Sequence, residues 1–338
     1  MISGTLRIGT RGSALALAQA NWVKERIERR HPGMGVALTV IKTKGDIMQD
    51  VALVKIGGKG VFVKEIEDAL LRGDIDLAVH SLKDVPAELP PGLTIAVTPE
   101  REDPRDVLVS KHRVKFEAMP RRARIGTGSL RRGFQLRNIF PDVEIVPLRG
   151  NLDTRLKKVE TEDLDAVVVA AAGIRRLGWV SRVTQFLPVE TIIPAVGQGT
   201  LAIEVREDDG MVRKAIAFLN HAPTWREAQA ERSFLRRLGG GCQLPLAAYA
   251  KTEGTGIKIT GLLGTIDGRV MIREELRGPA DAGDALGGQL AEAILERGGV
   301  PQDRWPELID CFNDWVDRDD AHRLNGAISS LLPTSTSV

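Results

Sequence analysis

The sequence has little of what marks an extracellular or membrane protein. Its 338 residues include two cysteines, Cys242 and Cys311, which could pair, but a reducing compartment argues against a disulfide. No apolar run approaches the roughly 20 residues that a membrane span requires. The first residues, MISGTLRIGTRGS, lack the basic and apolar regions of a signal peptide and predict a strand. We therefore expect a cytoplasmic protein with no membrane partner.

Other absences narrow the chemistry. The formal net charge is only +2 and aromatic residues make up 4%, so a nucleic-acid partner is not expected. The five histidines show no metal-ligand spacing with the cysteines, so no metal is expected. A Walker-type P-loop, a G-x-G-x-x-G fingerprint and a Ser/His/Asp order are all absent. Basic residues therefore matter only where they converge locally.

Apolar strand patterns alternate with helical patterns through the first 220 residues, which predicts an α/β fold with largely parallel sheets. Two pairs of segments look alike. RIGTRGSALALAQA from Arg7 and RIGTGSLRRGFQL from Arg124 each predict a strand, a short loop and a helix. DIDLAVHS from Asp74 and DLDAVVVA from Asp163 each predict a buried strand with an acidic lead-in. The common order indicates two similar lobes.

Two segments predict crossings between these lobes. TPEREDPRD (98–106) would lead from lobe one to lobe two, and IIPAVGQGTLAIEV (192–205) would return. A helix with a Ser/Thr-type N-cap at Thr224, three strands and a further helix predict a smaller α+β domain. The expected divisions are 1–99 with 200–219 (lobe one), 100–199 (lobe two), 220–300 (third domain) and 301–338 (a helical tail of open role).

Basic side chains recur in the loops that follow predicted strands, where open α/β sheets bind ligands. Hydroxyl groups stand beside them at predicted helix starts, which favours anion binding over ordinary capping. The residues concerned are Arg11, Ser13, Thr127, Ser129, Arg131, Arg132, Lys83, Arg149, Gly150, Arg155, Arg175 and Arg176. So many cations facing one cleft indicate a ligand with several negative charges. Asp84 is the conspicuous carboxylate among them.

Two glycine-rich stretches remain. KTKGDIMQDVALVKIGGKG (42–60) lacks P-loop spacing and predicts a mobile flap. LGGGCQLPL (238–246) puts Cys242 behind three glycines, which let a bulky group approach closely. A cysteine buried for packing does not need that freedom, so something is expected to reach this sulfur.

Over residues 5 to 300 the chain resembles the porphobilinogen deaminase (hydroxymethylbilane synthase) family. The resemblance lies in the motifs GTRGSALALAQ, GGKGVFVKEIE, DLAVHSLKDVP, REDPRDVLV, GTGSLRRGFQL, RGNLDTRL, AAAGIRRLG, PAVGQGTLAIE and ERSFLRRLGGGCQLP. It implies two lobes like those of periplasmic binding proteins with a doubly crossed hinge, plus a small α+β third domain. It also implies a transferase that condenses four porphobilinogen molecules to hydroxymethylbilane, releasing ammonia each time, for tetrapyrrole (haem, chlorophyll, cobalamin) biosynthesis.

The resemblance further implies a covalent dipyrromethane cofactor and a monomeric enzyme. Asp84 would be catalytic, stabilising the cationic azafulvene left when ammonia departs and assisting proton transfer. The implied cofactor-binding residues are Cys242 (through a thioether), Ser81, Lys83, Asp84, Thr127, Ser129, Arg131, Arg132, Arg155 and Gly199. The implied substrate-binding residues are Arg11, Ser13, Gln19, Phe62, Arg149, Gly150, Arg155 and Arg176.

Two features depart from the family pattern. Gly128 stands where the family usually has serine, and the segment after residue 300 matches nothing in the family. Two other functions are weighed against the enzyme. The first is a two-lobed anion receptor without catalysis, which a signal peptide would support and a reactive tethering cysteine would argue against. A basic nucleic-acid-binding protein would show salt-sensitive DNA retention.

Overall fold

A computed structural model describes residues 4–47, 60–239, 245–265 and 270–298. Cys242, Cys311, most of the expected flap and the 301–338 tail lie outside the described residues. The described strands are β1 Thr5–Thr10, β2 Gly35–Val40, β3 Leu77–Ser81, β4 Leu93–Val97, β5 Asp106–Ser110, β6 Arg124–Gly126, β7 Glu144–Val146, β8 Ala166–Ala170, β9 Gln185–Leu187, β10 Leu201–Arg206, β11 Leu246–Glu253, β12 Gly256–Gly264 and β13 Met271–Pro279.

Helices pack against these strands, and most of them expose one face. The described helices are α1 Ala14–Arg30, α2 Lys44–Ile47, α3 Lys64–Leu71, α4 Leu130–Ile139, α5 Leu152–Thr161, α6 Ala171–Arg176, α7 Gly210–Ile216, α8 Ala222–Arg237 and α9 Gly283–Glu296. Within the described part of the chain, no helix is both long and apolar enough to cross a membrane.

The first two sheets have the same strand order. Sheet one runs β2-β1-β3-β10-β4 and sheet two runs β7-β6-β8-β5-β9. In each, three strands are parallel, and a strand that arrives from the other lobe pairs antiparallel with both of its neighbours. The expectation of largely parallel sheets is therefore wrong for β5 and β10, because these strands enter their sheets from the crossings and not from a helical return.

The resemblance between the two pairs of segments reflects a contact that both lobes make. Asp76 accepts a hydrogen bond from the backbone N–H of Arg7 at 2.7 Å, joining the start of β3 to β1. Asp165 accepts one from the backbone N–H of Arg124 at 2.7 Å, joining the start of β8 to β6. The acidic lead-in thus fixes the start of one strand against its parallel neighbour in each lobe.

The chain passes between the two sheets twice, after β4 and after β9, and the two crossings touch at Gly199. Its φ is +89°, and a Cβ there would lie 2.3 Å from the carbonyl oxygen of Glu102 in the first crossing. The backbone N–H of Glu102 donates to the carbonyl of Gly199 at 3.1 Å. Glycine is therefore required both by the left-handed conformation and by the close approach.

The third domain is sheet three, β11-β12-β13, with α8 and α9 packed on one face. Helix α8 begins at Ala222 with His221 as its N-cap, so the expected start at Thr224 is wrong. The imidazole of His221 accepts from the backbone N–H of Thr224, the role expected of a hydroxyl. The expected fold class, two lobes with a doubly crossed hinge and a small α+β domain, is confirmed.

Candidate active site

A cavity of about 300 Å³ lies between the lobes, at the carboxyl ends of β1, β3, β6, β7 and β8. Fifteen of the site residues expected from the sequence line this cavity: Arg11, Ser13, Gln19, Phe62, Ser81, Lys83, Asp84, Ser129, Arg131, Arg132, Arg149, Gly150, Arg155, Arg176 and Gly199. They meet because both sheets turn this edge toward the other lobe. The interlobe position is a common one for ligand sites in such folds.

Among the expected residues that the structure describes, Thr127 and Arg175 do not line it. Arg175 points elsewhere, with its Nε 3.3 Å from Oδ2 of Asp103. Thr127 is buried, and its hydroxyl accepts a hydrogen bond from the backbone N–H of Ser129 at 3.2 Å, so it shapes the loop. Cys242 lies outside the described residues. Its described neighbours Leu235 and Leu246 line the cavity, so the chain on either side of the glycine-rich segment borders the site.

On the side of lobe one, hydroxyl and amide groups are held by neighbours. Ser13 caps α1 by accepting from the backbone N–H of Ala16, as its sequence position predicts. The buried amide of Gln19 donates to the hydroxyl of Ser81 at 3.0 Å. Lys83 and Asp84 follow β3 on a single 3₁₀ turn, Leu82–Asp84, which presents both side chains to the cavity.

Arg11 has a carboxylate partner that sequence reasoning missed. Its Nη2 lies 2.5 Å from Oδ1 of Asp46, and its Nε lies 3.1 Å from the same oxygen. The guanidinium also stacks over the ring of Phe62, 4.3 Å from the ring centroid. Burial raises the pKa of Asp46, but hydrogen bonds and charge from Arg11 outweigh it, with help from Thr43, so the pKa stays below its usual range.

On the side of lobe two, Asp106 binds both arginines of α4. Arg131 donates to Oδ2 and Arg132 donates to Oδ1, each at 2.7 Å, and all three side chains are buried. Burial alone would raise the pKa of Asp106, but the two guanidinium groups hold it well below the usual range. The missed amide of Gln198 also donates to Asp106, at 3.0 Å, and lines the cavity.

The remaining cations lack such a carboxylate. Arg155 donates to the carbonyl of Gly150 at 2.8 Å, and Arg176 donates to the carbonyl of Gly199 at 2.6 Å. In the described part of the chain, neither forms an ion pair, nor does Arg149. Burial, aided by the charges of Arg132 and Arg149, lowers the pKa of Arg155 to about 10. Burial likewise lowers the pKa of Arg176 to about 10.

Lys83 also has a pKa below its ordinary value. Part of its side chain faces the cavity, yet burial lowers its pKa to about 8, and the charge of Asp84 offsets only part of that effect. Across the cavity, the Nε of Arg131 is buried with no hydrogen-bond partner among the described residues. A ligand with several carboxylates would relieve each of these costs.

Gly128 permits a close approach in the loop before α4. A Cβ at this position would lie 2.4 Å from the carbonyl oxygen of Leu148, which is backbone and cannot rotate away. Serine would therefore require the loop to shift. The hydroxyl of Ser129 next to it forms no capping bond to α4, which leaves it available to a ligand.

The fold and the cavity together define a two-lobed α/β protein with a strongly basic cavity between its lobes. The cysteine-flanking ends of the third domain border the same cavity.

Comparison with known proteins identifies the family. The sequence model of the porphobilinogen deaminase dipyrromethane cofactor binding domain matches residues 6–214, and that of the C-terminal domain matches residues 225–296. The porphobilinogen deaminase of Syntrophus aciditrophicus is 58% identical over 87% of this chain and 96% of its own length. That of Pelobacter propionicus is 53% identical over 87% of this chain and 94% of its own length. The chain belongs to the porphobilinogen deaminase family.

These matches confirm the family, the transferase activity and the dipyrromethane cofactor expected from the sequence. A Salmonella typhimurium periplasmic binding protein overlaps 64% of this chain and 92% of its own, with a TM-score of 0.36 and 15% identity. A TM-score this low does not support the fold, which rests instead on the strand order of the three sheets. Among the described residues, no group of three or more His, Cys, Asp or Glu side chains could hold a metal.

Proposed function

We propose that this cavity joins four porphobilinogen molecules head to tail, with release of ammonia at each step, to give hydroxymethylbilane for tetrapyrrole biosynthesis. The observation that carries the proposal is a group of partly buried cations, with lowered pKa values, around a cavity that Asp84 also lines. Each porphobilinogen ring carries two carboxylates, which matches the negative charge that the cavity lacks. An anion receptor would need the cations but not Asp84.

The residues present fit the dipyrromethane cofactor, because its four carboxylates would find several cations in the cavity lining. Lys83, Arg132 and Arg155 would hold these carboxylates, and the hydroxyl of Ser129 would donate to one of them. Ser81, Arg131, Thr127 and Gly199 support this set from the cavity wall and the loops behind it. Cys242 would form the thioether. When bound, the cofactor supplies the pyrrole carbon to which the first substrate is joined.

Incoming substrate would bind on the other side of Asp84. Arg11, Arg149 and Arg176 would pair with its acetate and propionate groups, and Ser13, Gln19 and Gly150 would complete the polar wall. Phe62 would offer an apolar face to the pyrrole ring. Because two sets of cations flank one aspartate, each new ring would bring its reacting carbon to the same carboxylate.

Asp84 would act on charge and on protons. As the aminomethyl C–N bond of the substrate breaks, the amine leaves with a proton as ammonia and the substrate becomes cationic. The negative charge of Asp84, fixed beside Lys83 on its 3₁₀ turn, would stabilise that cation. After the new C–C bond forms, the attacked ring carbon must lose a proton, and the carboxylate would accept it.

The division of the chain stays part of the proposal: lobe one in 1–99 and 200–219, lobe two in 100–199 and the third domain in 220–300. The three sheets support this division, since each lies within one of these parts. We also propose a cytoplasmic monomer, as the resemblance to the family implies. Size-exclusion chromatography with light scattering tests the monomer.

The test compares the wild-type protein with Asp84→Asn and Cys242→Ser. Intact-protein mass of the denatured wild type should exceed the sequence mass by one dipyrromethane, and Cys242→Ser should remove the excess. Cofactor-loaded Asp84→Asn should release ammonia in a single turnover about 10²–10³ times more slowly, since one preorganised charge is lost. Asp84→Glu should retain more activity than Asp84→Asn because it keeps the charge.

Thermal melting of each variant controls for folding. Substrate should still bind to Asp84→Asn because the arginines carry that interaction. A wild-type protein that consumes porphobilinogen with Cys242 unmodified would refute the tether. Asp84→Asn turning over at the wild-type rate would make Asp84 a structural turn residue.

A further inference from the structure

The guanidinium of Arg11 is held on two of its sides. Asp46 binds the side formed by Nε and Nη2, at 3.1 and 2.5 Å. The ring of Phe62 covers one face at 4.3 Å. Among the described residues, Arg11 donates through Nε and Nη2 to Asp46, and Nη1 donates to none of them. The edge formed by Nη1 and Nη2 therefore remains for a second carboxylate, and Arg11 lines the cavity.

Asp46 is itself fixed from behind. Its Oδ2 accepts from the hydroxyl of Thr43 at 2.8 Å and from the backbone N–H of Thr43 at 3.3 Å. Thr43 is completely buried, so the carboxylate is anchored to the core of lobe one. A Cβ at the preceding Gly45 would lie 2.2 Å from the ring of Phe62, so the chain at residue 45 packs directly on that ring. Asp46 and Phe62 thus belong to one packed unit.

We propose that Asp46 is a positioning residue for substrate binding. It holds the Nε–Nη2 edge of Arg11, so that the Nη1–Nη2 edge of the same guanidinium receives a carboxylate of the incoming substrate. This inference rests on the proposed function of the cavity. A planar guanidinium offers a fork only in its own plane, and rotation about its long stem would otherwise spread that fork over many directions. Asp46 sets the plane, and Phe62 limits the tilt.

A second ion pair in the same lobe provides a matched control. Arg7, within β1, makes a similar pair with Asp76, through Nη2 at 2.6 Å and Nε at 3.1 Å. The side chains of Asp46 and Asp76 are 17% and 15% exposed, and hydrogen bonds from arginine keep the pKa of each below its usual range against the effect of burial. Asp76 is outside the cavity lining, so Asp76→Asn should disturb the fold comparably and the site very little.

The experiment measures KM and kcat for porphobilinogen on cofactor-loaded Asp46→Asn, Asp46→Glu and Asp76→Asn, after intact mass has shown the cofactor in each. Asp46→Asn should raise KM about tenfold, as expected for one misplaced charge-assisted hydrogen bond, while kcat stays within about twofold. Asp46→Glu should restore part of the loss. Asp76→Asn should leave KM unchanged.

A double-mutant cycle shows whether Asp46 acts through Arg11. Arg11→Lys keeps the charge but has no planar fork to orient. In that background Asp46→Asn should change KM by less than about twofold, because there is no guanidinium left to position. Independent, multiplying effects would overturn the inference, as would an Asp46→Asn variant whose KM falls or stays the same. An inactive wild type would instead overturn the proposed function, so the two failures are distinguishable.

Discussion

Asp106 neutralises charge inside the cavity wall before any ligand arrives. It holds Arg131 and Arg132 in fixed rotamers, each at 2.7 Å, and it is completely buried. Because its pKa is held below the usual range when folded, its contribution to stability is present above the pKa of the unfolded aspartate and is lost as pH falls. The two arginines are therefore structural groups as well as candidate ligand-binding groups.

Arg132 has this double role and Arg149 does not, so substitutions of the two residues are predicted to have different effects. Arg132→Leu should lower the free energy of unfolding by about 3 kcal/mol, because it breaks a buried ion pair and leaves Asp106 with one cationic partner. Arg149→Leu should leave that free energy unchanged or raise it, because Arg149 is half-buried with no ion pair among the described residues. Arg132→Leu should also load less cofactor, because Arg132 belongs to the proposed cofactor-binding set. Urea unfolding and intact mass measure the two effects, and equal losses of stability would contradict the distinction.

The lowered pKa of Lys83 predicts that the protein takes up a proton when it binds ligand. Its pKa is about 8 without a ligand, so near pH 8.5 the Lys83 amine is neutral in most of the protein molecules. A bound carboxylate favours the charged form and raises the pKa, so proton uptake should appear near pH 8.5 and vanish near pH 6, where Lys83 is already charged. Calorimetry of porphobilinogen binding to Cys242→Ser, in buffers of different ionisation enthalpy, measures it.

Lys83→Met is the control for that experiment, since other groups also titrate near pH 8.5. In this variant the uptake seen at the higher pH should disappear. Uptake that persists in Lys83→Met, or proton release in place of uptake, would assign the lowered pKa to a different group.

At the scale of elements, the two crossings depend on Gly199. Gly199→Ala combines left-handed strain with a Cβ 2.3 Å from a backbone oxygen and should lower the free energy of unfolding by about 3 kcal/mol. Gly178→Ala is the matched control, because Gly178 has φ +71° and nothing within 4 Å of its Cβ position. It should cost about 1 kcal/mol, for strain alone. Similar losses in urea unfolding would show that the crossings can separate without cost.

Local sequence patterns predicted the strands and helices better than they predicted strand pairing and ion pairs. The strands, the helix starts at Ser13 and Ser129 and most of the cavity lining follow from residues close together in sequence. The antiparallel pairing of β5 and β10 does not, because a buried strand shows the same apolar run in either direction. Asp106 and Asp46 were missed because their guanidinium partners lie 25 and 35 residues away, a separation that leaves no periodic mark.

At the scale of the whole molecule, Glu231 joins the third domain to both crossings between the lobes. This buried carboxylate on α8 binds Arg101 of the first crossing at 2.6 Å. It also accepts from the backbone N–H of Gly197, in the second crossing, at 2.6 Å, and from that of Ala250, on β11, at 2.8 Å. One side chain thus fixes the third domain against both connections between the lobes.

The late position of β10 in the chain has a consequence for synthesis on the ribosome. All five strands of sheet two lie between residues 106 and 187, whereas sheet one needs β10, residues 201–206, between β3 and β4. The second lobe can therefore close while the first, although translated earlier, still lacks a central strand. Nascent chains stalled with β9 outside the tunnel and β10 inside should resist protease in lobe two and be cut in lobe one. Lobe one, although synthesised first, can complete its sheet only after lobe two has been synthesised.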